Sequence, residues 1–135
     1  MHWGSLSCLI LLVACVAWVM WDVVARLRLI SAAEAKGMQL LLDNLTEEQR
    51  NQYRKRGHFD AIGSMSGKRY RIMHGTMRNV LEIGQSVEPG LGRCFMPKGN
   101  LVAGDCMLAQ KIAIENCEEE VLRTAMPFQP LGAGL

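Results

Sequence analysis

Few residues of this 135-residue chain have the type and spacing that chemistry requires. Lys68, Arg69, Arg71 and Arg78, with Tyr70 interleaved, form a basic strand region of the kind in which cations meet phosphates while an aromatic ring stacks on a base. The same residues also read as a solvated sheet face, its cations paired with Glu82 or with the acidic final helix, or as a surface drawn to anionic lipid. His58, His74, Cys94 and Cys106 are the set one could imagine around a metal, and none stands at the tight spacings that preorganise zinc. Cys94, between Arg93 and Phe95, reads as a small buried strand residue. An activated nucleophile needs a positioned base, and of the three histidines His2 precedes the apolar head while His74 reads as a turn residue beside Gly75. Phosphate loops, dinucleotide fingerprints, carboxylate pairs and triads are not visible. The expectation is therefore a protein that is not an enzyme, without cofactor, metal or small-molecule substrate.

The elements that would carry these residues divide into an oily head and a polar body. From Trp3 to Trp21 no residue bears a formal charge. At about 1.5 Å per residue such a helix spans roughly 28 Å, close to the hydrocarbon thickness of a bilayer. The tryptophans of the chain, Trp3, Trp18 and Trp21, stand at the two ends of this run, where indoles settle at headgroup level. A cleaved signal peptide is the competing reading, through Ala33-Glu34-Ala35, but no Lys or Arg precedes the run and the stretch to that motif carries Asp22, Arg26, Arg28 and Glu34. Leu12-Val13-Ala14-Cys15 fits a lipoprotein box only loosely, since membrane-grade sequence continues to Trp21. Arg26, Arg28 and Lys36 after the span, against no cation before it, place the body in the cytoplasm. Three body cysteines, Cys94, Cys106 and Cys117, agree with a reducing compartment.

Residues 1–22 are thus read as the transmembrane segment, with membrane-interface residues Trp3, Trp18, Trp21, Arg26 and Arg28, and residues 23–43 as a stalk helix. A small α+β domain occupies 44–128, and 129–135 is a tail. Thr46-Glu47-Glu48-Gln49 is a capping box that opens a helix over Glu47 to Arg56, ended by Gly57. Phe59 to Ile62, Arg69 to Met73, Asn79 to Ile83 and Arg93 to Met96 read as an antiparallel meander of three to four strands, with a loop around Pro89-Gly90. Tyr70 and Ile72 alternate with Arg69 and Arg71, so one face packs and the other is basic. Asp105 is the expected cap of a helix over Cys106 to Glu115, with Leu108, Ala109, Ile112 and Ala113 as its apolar stripe. Asn116 resets the chain, and a second C-terminal helix carries Glu118, Glu119 and Glu120 in its first turn, where the macrodipole favours anions.

Phe59-Asp60-Ala61-Ile62-Gly63-Ser64, Gly67-Lys68-Arg69-Tyr70-Arg71-Ile72, Asn79-Val80, Cys94-Phe95-Met96-Pro97-Lys98-Gly99 and the run Gly104 to Glu115 resemble a family of small uncharacterised proteins from phages, prophages and bacterial genomes. The similarity covers about Leu45 to Ala125. It implies an origin and a domain boundary, but no activity.

Charge is uneven along the body. Asn44 to Val80 holds eight Lys and Arg against three acids, whereas Leu81 to Leu135 holds four against seven. The expected function is a membrane-anchored interaction module, held by lipid through residues 3–21 and open to a protein partner. Two alternatives stand beside it: a nucleic-acid-binding module using the basic strands, and a membrane-active lysis or export accessory in which the span itself acts.

Overall fold

The computed structural model describes residues 3–84 and 91–130, with side chains from Ile10 onward. The expected loop around Pro89-Gly90, the side chain of Trp3 and most of the tail lie outside the described residues. The chain runs α1 (Trp3–Asn44), α2 (Glu47–Arg56), β1 (His58–Ile62), β2 (Arg69–Met73), β3 (Val80–Ile83), β4 (Gly92–Cys94), α3 (Ala103–Thr124) and β5 (Met126–Phe128). It divides into two compact units, Met1–Ala33 and Glu34–Leu135. The class is α+β: a long apolar N-terminal helix, a small antiparallel sheet and a C-terminal helix.

The first unit is helical and carries its apolar side chains outward. Leu11, Trp18, Trp21 and Leu29 are each at least 70% exposed, so none of the described residues shields them from solvent. The helix is long and apolar enough to cross a membrane.

In the second unit the sheet has the order β1-β2-β3-β4-β5, each strand antiparallel to its sequence neighbour. Phe59 and Ala61 of β1, Tyr70 and Ile72 of β2 and Val80 of β3 are buried with Met107, Leu108 and Ile114 of α3 and with Leu41 of α1 and Leu45. The core therefore draws on the final turns of α1 as well as on the body proper. Thr46 accepts from the Gln49 amide while the Gln49 side chain accepts from the Thr46 amide, and Gly57 closes α2 at φ 70°. That positive φ suits glycine, which has no Cβ to clash.

The edges of the sheet are managed by side chains. At β1 the Asp60 amide donates to Gln52 Oε1 at 2.9 Å, and the Asp60 carbonyl accepts from Gln49 Nε2 at 2.9 Å. Two glutamines one helical turn apart thus satisfy the outward groups of an edge strand, as a neighbouring strand would. At the other edge, β5 carries Pro127, which lacks an N–H and blunts further pairing.

Four expectations are corrected. The sheet has five strands rather than three or four, because Met126 to Phe128 pairs with β4 in the register Gly92↔Phe128 and Cys94↔Met126. A three-residue strand centred on proline has no period to read. The C-terminal helices are one element, α3, with a single non-helical residue at Cys117 (φ −135°, ψ 39°). Its start is Ala103, with Val102 at the N-cap and no capping side chain, so Asp105 lies in the first turn instead of capping. The reason is tertiary: a Cβ on Gly104 would collide with the backbone of Gly37 and Met38, so the two glycines let α3 begin directly against the end of α1.

The apolar stripe of α3 is also rotated from its expected phase. Ile112 is 51% exposed, while Met107, Gln110, Lys111, Ile114 and Glu118 are buried. Polar residues on the inward stripe hide the true phase from an apolar count. Gln110 and Asn79 exchange two amide hydrogen bonds at 2.8 and 2.9 Å, Gln110 also donates to the Phe95 carbonyl, and Asn79 also donates to the carbonyls of Met73 and Gly75. Every polar atom of that buried pair has a partner, which is the condition for placing amides in a core.

Candidate functional site

Two sets of polar residues stand out, one buried at the kink of α3 and one on the uncovered face of the sheet. In a regular helix the Glu118 amide would donate to the Ile114 carbonyl. Here the loop Gly63 to Gly67, between β1 and β2, is spliced into that bond: the Ser64 amide donates to the Ile114 carbonyl at 3.2 Å, and Ser64 Oγ accepts from the Glu118 amide at 3.4 Å. Insertion into the i to i−4 ladder is a recognised cause of a sharp kink, and it accounts for the geometry of Cys117.

The Glu118 side chain then turns back into the same loop. Its carboxylate accepts from the Met65 and Ser66 amides, each at 2.8 Å, from the Ser66 hydroxyl, and from the Tyr70 hydroxyl at 2.8 Å. Glu118 is 2% exposed, and a Cβ on Gly63 would collide with its carboxylate, so only glycine fits there. Burial pushes the carboxyl up, but the Ser66, Tyr70 and Met65 donors outweigh it and hold the group at about 2. Burial, reinforced by the bond to Glu118, drives the Tyr70 phenol well above its ordinary range. A carboxylate saturated by donors at this pKa is a weak base, so the cluster acts as a clasp between loop and helix rather than as a proton-transfer site.

The strand cations do not share one face. Cross-strand partners point the same way, and the row Asp60↔Arg71↔Leu81↔Gly92↔Phe128 lies on the side away from α3, as does the row Ile62↔Arg69↔Ile83. Arg69 and Arg71 are therefore on the uncovered face, paired with Asp60 at 3.8 and 3.0 Å. Lys68 bonds Glu82 at 2.5 Å, and Arg93 bonds the other oxygen of Glu82 at 3.4 Å, on the helix side. Burial raises the Glu82 carboxyl, but these two cations more than offset it and lower its pKa.

Tyr70 is 1% exposed, inside the core and bonded to Glu118, which removes it as a stacking platform. Arg78, at φ 50°, reaches over the Phe128 ring at 4.9 Å, and that ring covers Gly92, where any Cβ would strike it. Burial lowers the pKa of His58, helped by Arg71 and Arg56 and opposed by Asp60, and His58 Nδ1 is buried with no partner among the described residues.

In the first unit Trp18 and Trp21 are exposed on α1, and Arg26 pairs with Asp22 one turn earlier at 2.8 Å; Arg28 is exposed. Sequence reasoning missed Glu118, Ser64, Ser66 and Phe128. The available signal was the Gly63-Ser64-Met65-Ser66-Gly67 loop, whose small residues and hydroxyls suit an anion, although its carboxylate partner lies 52 residues away. Neither a family model, a curated protein nor a solved structure matches the chain.

Proposed function

We propose that this protein is a single-pass membrane anchor carrying a small α+β interaction module on the cytoplasmic side. One observation carries the reading: an α-helix with a long, uncharged, outward-facing apolar surface is joined in one chain to a body with its own buried core. Water-exposed Leu, Ile, Val and Trp at this density have no stable place except in lipid or against a partner. Orientation rests on Arg26, Arg28 and Lys36 just after the span. The free thiols Cys94, Cys106 and Cys117 favour the same, reducing side.

The body acts by contact. Its buried carboxylate is committed to a clasp, and its sheet presents an open face of arginines and apolar side chains. Binding of nucleic acid by the strand cations has less support, because Tyr70 is inside the core and Lys68 lies on the opposite face from Arg69 and Arg71. Action of the span itself is separated by expressing Met1 to Leu42 alone, where a change in membrane permeability would favour it. Carbonate extraction with protease protection of the full chain tests the main reading. The expected result is a carbonate-resistant protein whose body is digested only after the membrane is opened. Release by carbonate would remove the anchor, and digestion in intact spheroplasts would reverse the orientation.

A further inference from the structure

We propose that the open face of the sheet is a docking surface for an anionic lipid leaflet, engaged through Arg69, Arg71 and Arg78. This rests on the membrane-anchored reading above. Among the described residues three arginines and one carboxylate, Asp60, occupy the face, so pairing leaves that set net positive. Each of these cations retains reach toward a planar partner: the Arg69 side chain is 57% exposed, Arg71 is 31% exposed, and Arg78 is exposed with its guanidinium over the Phe128 ring.

Around them the face is apolar. Ile62 is 53% exposed and Met126 is 71% exposed, with Leu81, Ile83 and Phe128 partly covered between them. Among the described residues no helix packs on this side, since α3 lies against the other face and α2 against the β1 edge. Cations set among short apolar side chains match the headgroup layer of a bilayer, where each Lys or Arg near an anionic surface contributes about five-fold in affinity. Nucleic acid fits the same charges poorly. A single-stranded binder needs free aromatic faces, and the one phenyl ring among the described residues of this surface, Phe128, is spent on Gly92 and Arg78. A span in the same chain also keeps the body close to lipid.

Two native thiols report on the docking. Cys94 lies on the open face, two residues from Gly92 and opposite Met126, whereas Cys117 is exposed at the kink of α3 over the other face. The full chain is placed in nanodiscs of phosphatidylcholine alone or of phosphatidylcholine with phosphatidylglycerol, and labelling by a charged maleimide is followed at each cysteine by peptide mass. The expected result is labelling of Cys94 that slows several-fold on the anionic discs, with Cys117 unchanged. The slowing should vanish at high salt and in the R69Q/R78Q variant, which spares the Arg71 pair with Asp60.

Equal Cys94 rates on both discs would overturn the proposal, as would protection of Cys94 by added single-stranded oligonucleotide on phosphatidylcholine discs. Parallel slowing at Cys117 would mean general crowding and would also overturn it. Failure of the anchor reads differently, since the protein would then not stay with the discs at all.

Discussion

The Glu118 side chain ties α3 to both the β1–β2 loop and strand β2. It is one residue past the kink of α3, yet its oxygens hold two amides and a hydroxyl of the β1–β2 loop and the phenol of β2. Because its folded pKa lies below the ordinary value of 4.5, its contribution is present above about pH 4.5 and is lost as pH falls toward 2. The shift corresponds to roughly 3 kcal/mol as an order of magnitude. Urea unfolding of the body in detergent should therefore show wild type losing stability between pH 5 and pH 3 by an amount on the order of 1 to 3 kcal/mol. E118Q should begin about 2 kcal/mol lower at pH 7 and change much less over that window, because the group that titrates is gone. Equal pH slopes for the two proteins would show that the clasp does not carry this dependence.

At the scale of elements, two joints decide how α3 is seated. The first is Ser64 in the broken rung of the helix. S64A keeps the backbone bond to Ile114 but leaves the Glu118 amide without its acceptor, and should cost about 1 kcal/mol. Hydrogen exchange at the Glu118 amide should accelerate while exchange in the helix before the kink stays unchanged. The second joint is the contact of Gly37 with Gly104. A methyl group at Gly104 meets backbone, which cannot rotate away as a side chain can, so G104A should destabilise the body by about 2 kcal/mol, on the scale of other overpacked contacts, despite alanine's higher helix propensity. A thermal shift upward in G104A would mean that the end of α1 is free to move off α3.

The whole molecule joins an apolar helix to a small body whose core includes Leu41 from that same helix. A charge within the first unit should act on membrane residence and leave the body's fold alone. V16K should raise the free energy of insertion by about 3 kcal/mol, lowering the carbonate-resistant fraction, while the protease-resistant fragment of the body keeps its size. If the body unfolded as well, the two units would be energetically coupled.

Much of this was legible locally. The capping box at Thr46, the stop at Gly57, the bounds of β2 and the uncharged span depend on residues within a few positions of one another, where capping geometry and periodicity act. Short-range pattern was therefore enough for the class, the order of elements as far as β4, the apolar helix and the alternation that buries Tyr70 and Ile72. The fate of the polar residues was set by long-range contacts. Glu118, Gln110, Asn79 and Gln49 each look like surface side chains in their own window, and each is buried because its partners lie far along the chain, 31 residues apart for Asn79 and Gln110 and 52 for Ser66 and Glu118. The kink at Cys117 and strand β5 likewise depend on distant partners, whereas the split of Lys68 from Arg69 follows from strand alternation. A buried polar group is stable only with a partner in place, and that partner is supplied by the fold rather than by the neighbouring residues.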